Sequence, residues 1–173
     1  NPSVEVVATL DRYFDAMAGP IQAHGGEVLK FIGDGLLAIF RVEDGNTLEA
    51  ACRRALTAAE NAFAGLHELN QGRAIAGVAP LKVGIGLHVG KVVVGNIGSA
   101  QRLEFTVVGD TVNIASRLET LTRALDCRIA VSDAALTEAR LHDPALSRFE
   151  AAGDRRLDGR EQTLSVHIWP PKT

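Results

Sequence analysis

No run of apolar residues approaches the roughly 18–20 that a membrane-spanning helix requires, and no signal peptide is visible. The domain is therefore expected to make no membrane contact, while a longer, membrane-anchored parent remains compatible with it. Cysteine is nearly absent. Cys52 and Cys127 lie far apart and match neither metal-ligand nor redox spacing, so they read as reduced core or surface thiols of a cytoplasmic protein. An excess of positive charge is also missing. A formal charge of -3 gives no support to a nucleic-acid surface, which should be strongly basic. Internal repeats, linkers and low-complexity segments are lacking too. What remains is 173 residues, 46% hydrophobic and 23% charged, which suits one soluble, folded domain with a sizeable core.

Taken in order, Ser3 is expected to cap a first helix whose apolar face is Val6, Val7, Leu10, Tyr13, Phe14 and Met17. Gly19-Pro20 should bend or interrupt it, and Gly25-Gly26 should end it after His24. A hairpin follows, with strands over Glu27–Ile32 and Leu36–Phe40 joined by Gly33-Asp34-Gly35, because Asp-Gly tolerates the positive φ of a tight turn. By the period of two, Lys30 should share a strand face with Val28 and Ile32, an unusual place for a lysine. A long Ala-rich helix is expected from Thr47 to about Leu69, buried through Cys52, Ala55, Leu56, Ala59, Phe63, Leu66 and Leu69. Gln71 to Pro80 reads as a loop, and Leu81 to Gly98 as two strands turning near Gly90. Gly84-Ile85-Gly86 is not followed by a helix, so it does not fit a dinucleotide-binding loop. Later, Arg128–Val131 should be a strand, Ser132 the cap of a short helix to about Arg140, and Phe149–Leu157 a strand pair or irregular ribbon. Leu164–Trp169 should form the final strand.

The most informative stretch is Glu104-Phe-Thr-Val-Val-Gly-Asp-Thr-Val-Asn-Ile-Ala-Ser-Arg-Leu-Glu119. It starts as a strand stopped by Gly109, after which Asp110 or Thr111 can cap a helix. Ile114, Leu118, Leu121 and Leu125 repeat at helical spacing and should face the core. Asn113 and Arg117 are four residues apart and should sit one above the other beside that stripe, where a cleft would open. Such i,i+4 polar pairs are common on solvated helices, so spacing alone does not make them functional.

Across its whole length this motif resembles the catalytic domain of the class III nucleotidyl cyclases, the adenylate and guanylate cyclases, and similarity extends along the chain. The resemblance implies an α+β fold with a ferredoxin-like mixed sheet flanked by helices. It implies head-to-tail homodimers with active sites shared between subunits. Asn113 would orient the ribose, and Arg117 would neutralise charge growing on the α-phosphate. Lys30 and Thr106 match the base-selecting positions, and guanylate cyclases carry Glu and Cys there. Lys91 and Arg160 match residues that contact the triphosphate. Asp34 matches the second of two metal-binding aspartates, with two Mg²⁺ or Mn²⁺ ions expected. The implied reaction is in-line attack of the ribose 3′-oxygen of ATP on its α-phosphorus, giving cyclic AMP and pyrophosphate.

One feature of the family is not found. No Phe-x-Asp-like stretch precedes the first helix, and Asp11 and Asp15 lie within that helix. Residues 1–173 are therefore expected to be an N-terminally incomplete copy of the domain, without its first strand and inactive as written. A cyclase-like regulatory module that binds nucleotide or dimerises without chemistry is the competing expectation. A diguanylate cyclase is disfavoured because no Gly-Gly-Asp/Glu-Glu-Phe stretch occurs.

Overall fold

Pro2 opens the first helix of the computed structural model, which describes residues 2–32, 35–42, 45, 47–97, 104–140, 149–157 and 163–169. These fall into two compact units, Asn1–Val83 and Gly84–Thr173.

In the first unit, α1 (Pro2–Ala23) begins on proline, whose fixed φ and missing N–H suit the first helical turn. Ser3 is consequently inside the helix and not its cap. Pro20 is also inside it: one missing hydrogen bond near the last turn does not stop the helix. After a link through Gly25 and Gly26 come β1 (Glu27–Ile32) and β2 (Gly35–Ile39), an antiparallel pair. A bulge falls between Val28 and Lys30, which pair with Ala38 and Leu37. That extra residue changes the phase, so Val28 and Lys30 do not share a face as strict alternation predicts. Phe31, next in line, meets Phe14 of α1 with ring centroids 4.4 Å apart.

Thr47 caps α2 (Leu48–Ile75) by accepting a hydrogen bond from the Ala50 N–H through Oγ1 at 3.1 Å. The helix continues past Leu69 and through Gly72, so Gln71–Ile75 is helix and not loop. A lone helical glycine costs only about 1 kcal/mol relative to alanine, and its neighbours are sound helix formers. The following segment is tied back onto this last stretch. Asn70 bonds both the N–H and the C=O of Leu81, at 2.8 and 3.0 Å, and Arg73 Nε donates to the Ala79 carbonyl at 2.8 Å. His24 meets Asn61, and Ala16 lies opposite Gly65, so α1 and α2 run antiparallel. Met17, Cys52, Leu56, Ala59, Phe63 and Leu66 are buried, whereas Ala55 and Leu69 are only half-buried. Burial on α2 stops at Leu66, beyond which His67, Glu68 and Gln71 are exposed. The first half of α1 accordingly leaves Val6, Val7 and Leu10 exposed, contrary to their expected place in the core.

The second unit holds β3 (Ile85–Leu87), β4 (Val93–Ile97), β5 (Glu104–Val108), α3 (Asp110–Ala124), β6 (Ile129–Ser132), α4 (Asp133–Arg140), β7 (Glu150–Arg156) and β8 (Thr163–Trp169). Its mixed sheet has the order β3-β6-β8-β7, with β3 parallel to β6 and the other pairs antiparallel. β4 and β5 form a separate antiparallel hairpin. Thus β3 and β4 do not pair across Gly90 as two successive strands would suggest; each finds a partner further along the chain. β7 is one strand with an irregularity between Ala151 and Gly153, which resolves the choice between a strand pair and a ribbon. Ser132 does cap α4, accepting from the Ala135 N–H at 3.4 Å. Helix α3 lays Ile114 and Leu118 against Ala130, Leu157 and Val166, with Leu121 and Ile168 at the margin. Full burial of Ile or Leu contributes about 1.5–3 kcal/mol each, so this cluster fixes α3 on the sheet. The molecule is an α+β protein with four helices among the described residues, none long and apolar enough to cross a membrane.

Candidate active site

The position of α3 is set by a close backbone approach. A Cβ on Gly86 of β3 would stand 2.3 Å from the Ala115 carbonyl oxygen and 2.4 Å from the Glu119 nitrogen. Only a residue without a side chain lets the helix lie this near the strand. The glycines at 84 and 86 therefore serve packing, in agreement with their failure as a dinucleotide loop. Asn113 and Arg117 each precede a buried residue, Ile114 and Leu118, so the core contacts of those neighbours hold the polar pair at the helix flank. Asn113 is exposed and Arg117 half-buried. Neither bonds another described side chain, whereas Arg123 on the same helix pairs with Glu119 at 3.3 Å. On its own helix the residues four before and four after Arg117 are Asn113 and Leu121, so no carboxylate lies one turn away to neutralise it.

The start of α3 differs from its expected form. The cap residue is Gly109, with no side-chain cap bond, so neither Asp110 nor Thr111 caps the helix. The Thr111 hydroxyl instead donates to the Lys91 carbonyl at 2.9 Å. Lys91 itself is exposed, in the segment between β3 and β4. At the other end of that segment, His88 Nδ1 lies 2.8 Å from Oγ of the fully buried Ser132.

Of the seven site residues expected from sequence, Lys91, Asn113 and Arg117 are described in the second unit, with the Lys91 backbone bonded to the helix that carries the other two. The Thr106 backbone pairs with Gly95 in the β4–β5 hairpin, and its side chain lies outside the described residues. Lys30 is exposed on β1 in the first unit. Asp34 and Arg160 lie outside the described residues; the flanking pairs are Ile32 with Gly35 and Arg156 with Thr163. Among the described residues, no three His, Cys, Asp or Glu side chains gather as a metal site. Thr111 and Gly86 were not singled out for function by sequence reasoning. The available signals were a threonine two residues after Gly109 and the glycines at 84, 86 and 90.

The fold places Asn113 and Arg117, unbonded to other described side chains, one turn apart on a helix that follows a hairpin, and comparison with known proteins gives the class. The chain belongs to the family of adenylate and guanylate cyclase catalytic domains, whose pattern it matches over residues 1–169. It is 33% identical over 165 residues to adenylate cyclase 1 of Rhizobium meliloti (strain 1021), a match covering 94% of this chain and 24% of that protein. It is 37% identical over 174 residues to an adenylate cyclase of Anabaena cylindrica, covering 95% of this chain and 32% of that one. The chain thus spans about a quarter to a third of the curated relatives it matches. Among solved structures, the guanylyl cyclase Cya2 superposes with a TM-score of 0.77 at 33% identity, covering 97% of this chain and 81% of that one.

Proposed function

We propose that this domain is an adenylate cyclase catalytic domain that converts ATP to cyclic AMP and pyrophosphate. The observation that carries the reading is the Asn113–Arg117 pair, unbonded to other described side chains and held beside the buried face of α3. Arg117 stabilises charge that develops on the α-phosphate as the ribose 3′-oxygen attacks, and Asn113 orients the ribose. An arginine so placed is worth about 10³–10⁵ in rate in related phosphoryl transfers. Lys91 and Arg160 hold the departing phosphates.

Base choice falls to Lys30 with Thr106. A lysine donates a hydrogen bond to the acceptor N1 of adenine, whereas guanine presents a donor there, so Lys30 disfavours GTP. The resemblance to both adenylate and guanylyl cyclases leaves selectivity to these two residues.

The donor chemistry suits a hard cation: Asp34 offers a carboxylate, and Mg²⁺ or Mn²⁺ commonly takes one or two carboxylates with phosphates and water. Two such ions, when bound, supply Lewis-acid activation and charge neutralisation at the reacting phosphate. This chain's own contribution to holding them is Asp34. The site is shared in a head-to-tail homodimer, with Asp34 from one subunit and Lys30, Thr106, Asn113 and Arg117 from the other.

The test is cyclic nucleotide formation by the intact protein from ATP and from GTP with Mg²⁺ or Mn²⁺. Cyclic AMP should be the main product, and Arg117→Ala and Asn113→Ala should each lower kcat by at least about 10²-fold, the scale of losing one preorganised stabilising group. Unchanged turnover in both variants would overturn the assignment.

A further inference from the structure

The segment between β3 and β4 is not a free loop. Thr111 donates its hydroxyl to the Lys91 carbonyl at 2.9 Å. A Cβ on Gly90 would stand 2.3 Å from Thr111 Oγ1 and 3.3 Å from its Cβ, so the chain before Lys91 rests directly on Thr111. Gly109, at φ +153°, is strained for any other residue, and a Cβ there would press on the Lys91 oxygen at a tight 3.2 Å, with Val92 Cα at 3.5 Å. The backbone around Lys91 is therefore seated on both residues that flank Asp110 at the start of α3. Residues 88–92 belong to no strand, so no sheet ladder holds Lys91, and the Thr111 bond is its link to the helix of Asn113 and Arg117.

We propose that Thr111 is a positioning residue for the phosphate end of the nucleotide: its bond to the Lys91 carbonyl sets the backbone from which the Lys91 side chain reaches its phosphate. This rests on the reading in which Lys91 meets the triphosphate. Thr111 touches no substrate and acts through Lys91 alone.

The experiment uses the intact protein with Thr111→Val, Thr111→Ala, Thr111→Ser and Lys91→Ala, alone and combined. Steady-state kinetics on ATP and inhibition by inorganic tripolyphosphate are the readouts. Removing the hydroxyl in Thr111→Val or Thr111→Ala should lower kcat/KM about three- to thirtyfold, the scale of one backbone hydrogen bond, and weaken tripolyphosphate inhibition by a similar factor. Thr111→Ser keeps the donor and should remain within about twofold of the parent. On a Lys91→Ala background, Thr111→Val should cause almost no further loss, because the two act as one unit. The proposal is overturned if Lys91→Ala is impaired while Thr111→Val and Thr111→Ala are not. It is equally overturned if Thr111→Val loses the same factor with and without Lys91, which marks a purely structural bond. Full activity and inhibition in Lys91→Ala would instead defeat the reading of Lys91 as a phosphate contact, and the positioning role with it.

Discussion

Replacing Gly86 by alanine adds one methyl group where the structure leaves none. The new Cβ would stand 2.3 Å from the Ala115 oxygen, 2.4 Å from the Glu119 nitrogen and 3.0 Å from the Leu118 carbonyl carbon. All three are backbone atoms of α3, so no side chain can rotate away. Ordinary contact needs about 3.4 Å or more, so α3 must lift by about 1 Å or β3 must give way, in an interior packed with little void. Overpacking of this kind costs about 1–3 kcal/mol. For a domain of this size each kcal/mol is worth about 2–4 °C, so Tm should fall by roughly 2–12 °C. Asn113 and Arg117 ride on the same helix, and a misplacement of about 1 Å can reduce a positioned reaction by about 10²-fold. Gly72 provides the contrast. It is helical and has nothing within 4 Å of an added Cβ, so Gly72→Ala should stabilise by about 0.4–1 kcal/mol and leave turnover unchanged. Thermal unfolding by circular dichroism and cyclic AMP formation on the same samples decide the matter. A Gly86→Ala protein with parental Tm and kcat would refute the claim that β3 sets the height of α3.

Exchanging the base-selecting pair, Lys30→Glu with Thr106→Cys, should lower the ATP/GTP ratio of kcat/KM, since a donor is replaced by an acceptor; an unchanged ratio removes the assignment. Asp34→Ala and Arg117→Ala should each be inactive yet rescue one another when mixed, because one of the two shared sites in a mixed dimer receives neither lesion. With random exchange about half the dimers are mixed, so activity should return to about a quarter of the parental level if sites act independently. Asn113→Ala mixed with Arg117→Ala should show no rescue, and failure of the first mixture despite proven subunit exchange rejects the shared site. The Cys127 thiol is pushed up to about 11 by burial and by the Asp126 carboxylate, so it stays protonated through neutral pH and its nucleophilic thiolate appears only as pH rises toward that value. Mass-spectrometric labelling with iodoacetamide at pH 8 should therefore be much slower than for a free thiol, and equal rates would contradict this.

Local signals carried much of the fold. Thr47 and Ser132 announce their helices through a side-chain oxygen, and the 104–119 stretch fixes both its strand and the α3 stripe by period. The errors arise where distant partners decide. A bulge between Val28 and Lys30 is invisible to a strict period of two, since it depends on the strand opposite. Val6, Val7 and Leu10 have the pattern of a core face, but α2 presents polar residues beyond Leu66. Thr111 has the chemistry of a cap, which accepts a hydrogen bond, but its hydroxyl is used as a donor to a carbonyl twenty residues upstream. Asn113 and Arg117 were legible because family resemblance distinguished them from an ordinary solvated pair; their placement came from glycines in another strand.

The strand order β3-β6-β8-β7 has a bearing on how the protein is made. β8 lies between β6 and β7, although it leaves the ribosome after both. Until it emerges, among the described residues β6 has just the short, parallel β3 beside it, and β7 has no neighbour in its sheet. Parallel pairing across a long intervening segment is slow to form on its own. The nascent second unit thus waits with unpaired strand edges until its last strand arrives, an interval in which such edges invite wrong partners. A ribosome that stalls before Thr163 would release a chain whose helix α3 has the right sequence and no finished sheet to rest on.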